Sequence, residues 1–315
     1  MLLLISVMII SGIIKDLGLM TNVVHLVSNY IKNPKILAGV ISAVTGILPI
    51  KGRVIVSAGI LDSVYKKSPS LGPLNYIATH HYYLWSPLEK AVIVAMGAFS
   101  LSYVDWLLLM SPMLIITAVF IFWYISVCGD DIQFDSKKTG DGNCMIVLPY
   151  LICLFGCVVW NPIWSFCLLA GYCMLVYKQY NILKHIDWKL VCWFGCIILA
   201  SNAVRSYTDD IYTFVEQYCA DHGLLVGTMI GFFSSLILGS SSRFSAITVI
   251  LTLIFGVQYL LWFYIVDFAG YVLSPAHKCV SIGKQYFKTP LISFYGVLLV
   301  WIMFLIIGAA VVAYV

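Results

Sequence analysis

Arg53 stands in an apolar segment that proline and glycine interrupt, and this combination could bind an anion. Pro49 and Gly52 break the run Thr45–Ala58 just before the arginine, and Ser57 follows it by one helical turn. Proline removes a backbone donor and glycine frees the backbone, so the pair favours a break in the helix. A helix that restarts there presents free N–H groups, which together with a guanidinium favour a carboxylate or phosphate.

A second interrupted segment lies later in the chain, at Ser234–Ala246. Gly239 and Arg243 interrupt its apolar run, and four serines add neutral donors: Ser240, Ser241, Ser242 and Ser245. We expect each segment to form a re-entrant hairpin or broken helix with its tip near the middle of a membrane. Irregular backbone occurs at that depth only around a cavity or buried in protein. The alternative is a surface loop whose basic residues are solvated orientation signals.

Three further side chains could couple a cation to transport. Asp62 and Asp267 lie in apolar surroundings, where a carboxylate could bind Na⁺, relay a proton or pair with an arginine. His80 could carry a proton. The alternatives are an internal salt bridge for the acids and an interfacial position for His80, which precedes several aromatic residues.

Other classes of function lack the residues that they need. The sequence has no phosphate loop, dinucleotide fingerprint or zinc-protease motif, which argues against an enzyme. The ten cysteines include no Cys-x-x-Cys pair, so we expect packing residues rather than metal ligands or disulfides. A net charge of +4 is small and argues against nucleic-acid binding. We expect no cofactor, apart from a coupling Na⁺ or H⁺.

The composition indicates the setting of these residues. Of 315 residues, 62% are hydrophobic and 10% are charged, whereas soluble domains are about half apolar and about a quarter charged. Six apolar runs approach or exceed the roughly 20 residues that cross a bilayer: Val104–Val127, Met145–Trp160, Pro162–Tyr177, Trp188–Ala203, Ile247–Val266 and Leu291–Val315. Met1–Ile14 lacks the basic start and cleavage site of a signal peptide, so we expect a retained helix. We predict an all-α polytopic protein of the cell inner (plasma) membrane.

The sequence repeats itself at an offset of 188 residues. The motif Tyr-x-x-Ser-Pro-x-x-Lys-x-Val occurs at Tyr83–Val92 and again at Tyr271–Val280. A shared motif of this length at one offset indicates duplication. We expect its Ser-Pro pairs to begin helices, because proline suits the first turn. The predicted organisation is repeat one at 1–127 with a hairpin at about 35–66, a polar loop at 128–144, two linking helices at 145–187 without a counterpart before residue 1, and repeat two at 188–315 with a hairpin at about 223–252.

Charged residues indicate that the two repeats are inverted. Acids surround the centre of repeat two, whereas lysines surround the matching part of repeat one, and lysines favour the cytoplasmic side. Following the chain through the predicted helices places most basic residues on one side: Lys15, Lys32, Lys35, Lys66, Lys67, Lys137, Lys138, Lys178, Lys184, Lys189, Lys284 and Lys288. Both termini would then lie outside. Inverted repeats are typical of secondary transporters, whose sites lie where the repeats meet.

The interrupted segment and the later motif together resemble a known family. The first part is Thr45-Gly-x-Leu-Pro-x-x-Gly-Arg-x-x-x-Ser-Ala58, followed by Asp62, Asn75-Tyr76 and His80. The second part is Gly270-Tyr-x-Leu-Ser-Pro-x-His-x-Cys279, followed by Tyr286-Phe-Lys288. Both resemble the signatures of the integral-membrane domain-of-unknown-function 401 family, which is similar to the ion transporter superfamily. The resemblance implies inverted repeats, two re-entrant hairpins, cation coupling and a homodimer.

From these features we predict a secondary active transporter of a small organic anion, coupled to Na⁺ or H⁺. Its partners would be the substrate, the lipid bilayer and a second copy of the chain. The alternatives are a non-transporting membrane subunit of a larger complex, an ion channel and, third, a membrane enzyme. The enzyme would depend on His80, His81 and Asp62.

Overall fold

Helices make up the described part of the chain, in which no β-strand occurs. The computed structural model describes residues 5, 9, 31–47, 53–87, 89–133, 149, 152, 153, 156, 162–178, 184, 186, 188, 191, 192, 199, 213, 222–239, 241–277, 279, 280 and 286–314. Only the backbone is described at 63, 162, 166, 177, 241–245 and 314. The predicted helical class is confirmed for these residues. The predicted N-terminal helix and most of the polar loop and linking helices lie outside them.

The helices fall into two groups along the chain. The first group comprises α1 (Pro34–Ile47), α2 (Arg53–Val64), α3 (Leu71–His80), α4 (Tyr82–Trp85), α5 (Lys90–Phe99) and α6 (Tyr103–Cys128). Helix α7 (Pro162–Tyr177) follows alone. The second group comprises α8 (Gly223–Leu238), α9 (Ser241–Phe255), a 3₁₀ turn (Val257–Tyr259), α10 (Leu260–Leu273) and α11 (Leu291–Tyr314).

Two of the described helices are long and apolar enough to cross a membrane. They are α6 and residues Leu291–Ala313 of α11. A capping box between Ser102 and Asp105 satisfies the first amides of α6. The finding supports an association with membranes. The multi-pass arrangement and the orientation of the termini stay predictions.

Helix starts agree with the offset at which the sequence repeats. Helix α2 begins at residue 53 and α9 at 241, while α6 begins at 103 and α11 at 291; both differences are 188. The loops before α6 and α11 each contain a non-glycine residue in the left-handed region, Ser100 at φ 53° and Lys288 at φ 55°. This conformation is uncommon outside glycine, and each of the two residues stands three positions before the start of the next helix.

The packing of the two groups also corresponds. Helix α1 packs against α2 and α3, and α8 packs against α9 and α10. Glycine allows close approach in both cases, because a Cβ at Gly46 would lie 2.9 Å from the Thr79 Cα and one at Gly270 would collide with the Phe232 carbonyl. The groups meet where α5 contacts α9 and where α6 contacts α11.

Helix α6 exposes large apolar side chains on one face, where a soluble helix would have polar ones. Leu108, Ile115 and Phe122, spaced seven residues apart on one face, are each more than 60% exposed. Trp106 and Met110 are buried. An outward stripe of large apolar side chains is the surface that a lipid contact requires.

Candidate functional site

The Arg53 guanidinium is buried at the start of α2, between two aromatic rings and a carboxylate. Its Cζ lies 4.0 Å from the ring centre of Tyr82 and 4.7 Å from that of Tyr83. Its Nη2 lies 3.5 Å from Oε2 of Glu89, and both side chains are about one-tenth exposed or less. Rings and carboxylate together stabilise a charge that burial alone would disfavour.

The backbone around the repeated Ser-Pro motif positions Glu89. Helix α3 ends at His80, α4 adds one turn, and an extended Ser86 then ends the helical path. The amide of Glu89 donates to the Ser86 carbonyl at 3.0 Å, and the amide of His277 donates to the Ser274 carbonyl at the same distance. Both Ser-Pro motifs thus form a turn with the same hydrogen bond. In each turn a titratable residue, Glu89 or His277, stands three residues after the serine.

A pair of histidines joins the end of α3 to the second Ser-Pro turn. The Nε2 atoms of His80 and His277 lie 3.1 Å apart. The Nδ1 of His80 lies 2.6 Å from the Tyr76 carbonyl, and the Tyr76 ring stacks on the imidazole at 3.9 Å between centres. The sulfur of Cys279 lies within 4.8 Å of both imidazoles.

Tyrosines form hydrogen bonds between the two groups of helices. The hydroxyls of Tyr83 and Tyr271, which occupy matching positions of the repeated motif, lie 2.8 Å apart. Tyr76 donates to the Val272 carbonyl at 2.8 Å, and Tyr264 donates to the Tyr83 carbonyl at 2.5 Å. These bonds bring the first and second halves of the sequence together around the histidine pair.

Asp267 forms a separate buried site within the second group. Its carboxylate accepts hydrogen bonds from the Ser235 hydroxyl of α8 and from the Thr248 hydroxyl and amide of α9, the latter two at 2.7 and 3.1 Å. Among the side chains that the structure describes, no basic group forms an ion pair with Asp267. Asp267 therefore links α8 and α9 to α10 through hydrogen bonds.

Three buried polar atoms in the described residues form no hydrogen bond: Ser57 Oγ, Asn75 Oδ1 and Thr252 Oγ1. The first two belong to the contact between α2 and α3, since the Asn75 amide donates to the Val54 carbonyl at 3.3 Å, one turn before Ser57. Buried polar groups are almost always paired. Two unpartnered oxygens in one helix contact are therefore candidate ligands for a small polar guest or a cation.

The structure brings together only part of the predicted site. Arg53, Ser57 and His80 lie in or beside the buried cluster, whereas Asp62 lies on the exposed side of α2. Gly239 has a left-handed φ of 55°, and a Cβ there would lie 2.8 Å from the Ser274 hydroxyl, so this glycine abuts the second Ser-Pro turn. Outside the described residues or side chains lie Pro49, Gly52, Ser240, Ser241, Ser242, Arg243 and Ser245.

Sequence reasoning missed five residues of the cluster: Tyr83, Glu89, Tyr271, His277 and Cys279. The repeated motif contained the signal, because the charged and titratable residues stand at the same place in both copies. We expected the motif to begin helices, and α5 does begin at Lys90, within the first copy. Its further effect is to turn side chains of both copies toward one another.

A scan against protein-family models and a search of curated proteins find no match for this chain. The resemblance to the domain-of-unknown-function 401 family therefore stays a prediction.

Proposed function

We propose that the chain is a polytopic membrane protein of two inverted repeats that transports a small organic anion, coupled to Na⁺ or H⁺. The long apolar helices α6 and α11, the lipid-like exposure of α6 and the matching helix starts support this architecture. In such proteins the substrate site lies where the repeats meet.

The observation that carries the proposal is the buried polar cluster between the two groups of helices. Arg53, Glu89 and the histidine pair are surrounded by apolar helices, and the pair and the tyrosine bonds join residues about 190 positions apart. Ionisable groups inside a membrane protein are costly and are kept for function.

Arg53 is the group that would bind the anion. Glu89 contacts it at 3.5 Å, which is a long hydrogen bond. A substrate carboxylate that takes the place of Glu89 could bind the guanidinium through two parallel bonds. Glu89 would then lose its cation, so one exchange of partners would link anion binding to the charge balance of the cluster. A Na⁺-coupled carrier would instead use the unpartnered oxygens of Ser57 and Asn75.

The test is a thermal-shift screen of the detergent-purified full chain. Citrate, gluconate, C4-dicarboxylates, glycolate, phosphate and arsenite are each added with and without Na⁺ and at two pH values. A ligand that binds only the folded state raises the melting temperature. We expect a Na⁺- or pH-dependent shift for one anion, which Arg53→Gln abolishes and the exposed control Lys67→Gln retains.

Uptake of that anion into proteoliposomes then separates transport from binding. Arg53→Gln should lose uptake while the control keeps it. Wild-type rates in Arg53→Gln would reject the anion site. No shift with any anion, in a protein that melts cooperatively, would favour a non-transporting membrane subunit.

A further inference from the structure

The histidine pair between the two helix groups lies next to a cysteine, and together they have the composition of a metal site. One ligand atom from each of His80, His277 and Cys279 lies within 4.8 Å of the other two. Both histidines are about 95% buried or more. From the sequence we expected the cysteines to be packing residues, because none of them forms a Cys-x-x-Cys pair. The fold places Cys279 beside His80, which is distant in the chain, and beside His277, which lies two residues before it.

The tautomer of His80 leaves a lone pair directed at His277. The Tyr76 carbonyl can only accept a hydrogen bond, so His80 Nδ1 donates to it at 2.6 Å. Nε2 of the neutral ring is then an acceptor, and it faces Nε2 of His277 at 3.1 Å. The His277 ring in turn interacts with the backbone of Gly239. Backbone partners that fix the ring of a histidine are typical of metal-binding imidazoles.

We propose that His80, His277 and Cys279 bind one copper(I) ion, or another soft monovalent cation, between the two halves of the protein. Imidazole and thiolate ligands suit copper(I), which accepts three ligands. Two nitrogens bound at about 2.0–2.1 Å and at tetrahedral to trigonal angles lie roughly 3.3–3.6 Å apart, so the observed 3.1 Å requires only a small separation of the rings. The thiol of Cys279 loses its proton on binding.

Charge selects a monovalent ion over zinc. The Arg53 guanidinium lies on the Tyr83 ring, whose centre is 5.6 Å from that of His80. Two neutral imidazoles, one thiolate and copper(I) sum to zero, whereas Zn²⁺ would leave a buried positive charge close to this guanidinium. The proposal does not depend on anion transport, because the metal ligands and the anion-binding arginine are different side chains.

The test measures metal retention by the full chain in detergent. Protein reduced with ascorbate is loaded anaerobically with copper(I), or with silver(I) as a redox-stable probe, and weakly held metal is removed with a competing chelator. We expect one retained equivalent, a higher melting temperature, and an X-ray absorption spectrum with two nitrogens and one sulfur around copper. Zinc should give a smaller thermal shift than silver(I).

Matched variants assign the site. Cys279→Ser keeps the size of the side chain, and its melting temperature without metal checks the fold. It should weaken metal binding by more than the roughly 10- to 100-fold that loss of an outer-shell partner costs. His277→Gln should do the same, whereas the exposed Cys167→Ser and the neighbouring His81→Gln should retain the metal. Equal retention by Cys279→Ser and the wild type, or no retained metal in the wild type, would overturn the proposal and leave a simple hydrogen bond between two histidines.

Discussion

The helix contacts α2–α3 and α9–α10 occupy matching places in the two groups, but their polar side chains have different hydrogen-bond partners. In the second contact Asp267 binds groups of two other helices. The matching residue in the first is Thr79, whose hydroxyl bonds the Asn75 and Tyr76 carbonyls and lies 3.3 Å from the His80 Nδ1, all within its own helix. The first contact also contains the unpartnered oxygens of Ser57 and Asn75, against Thr252 in the second. The second contact is therefore linked to a third helix by hydrogen bonds, whereas the first keeps two unpartnered oxygens.

The largest effect is expected at Arg53. Arg53→Gln leaves the buried Glu89 carboxylate without a cation, which costs about 3–5 kcal/mol. Melting of purified variants in detergent would show the loss. The double variant Arg53→Gln/Glu89→Gln should regain much of that stability but none of the anion-dependent thermal shift. A single variant as stable as the wild type would mean that the Arg53–Glu89 pair is solvated and is not a buried ion pair.

The next effect is expected at Asp267. Asp267→Asn replaces one oxygen of a carboxyl group that receives three hydrogen bonds with an amide donor, so it should cost about 2 kcal/mol. The exposed Asp62→Asn should leave the melting temperature unchanged. If Asp267→Asn also removed a Na⁺-dependent thermal shift, Asp267 would bind the ion rather than only link helices. The ion site would then lie in the second contact and not in the first.

A smaller effect is expected between the two halves, at the tyrosine pair. Tyr83→Phe and Tyr271→Phe should each cost about 1 kcal/mol, because each removes one hydrogen bond between neutral groups. The double variant should cost less than the sum of the two, since the residues are in direct contact. Strictly additive losses would indicate that the hydroxyls act independently and that this contact does not join the halves.

The smallest effect on stability is expected at Ser57. Its hydroxyl is buried without a partner, so Ser57→Ala should leave stability unchanged or raise it by up to about 1 kcal/mol. The variant should nevertheless weaken the ligand- or Na⁺-dependent shift. Ser42→Ala is the control, since that buried serine donates to the Ala38 carbonyl of its own helix. A normal ligand response in Ser57→Ala would remove Ser57 from the site.

The sequence predicted the helical class, because apolar runs are local features, and it singled out Arg53 as a charge inside one of them. It also predicted the matching helix starts, through the 188-residue offset. It did not predict that Glu89 would pair with Arg53 or that His277 would meet His80. Those contacts depend on the angle of the Ser-Pro turn and on how the copies pack, and neither is encoded in residue type alone.

The two tyrosines of the hydrogen-bonded pair are far apart in the sequence, and this affects how the protein can fold during synthesis. Residues 188 positions apart are translated roughly 10–40 s apart at about 5–20 residues per second. During that interval the first half has no partner for its contact surface. Arg53 does not have to wait, because Glu89, Tyr82 and Tyr83 all lie within 36 residues of it. The charge is compensated within the segment that emerges first, so the nascent first half can enter an apolar environment before the second half exists.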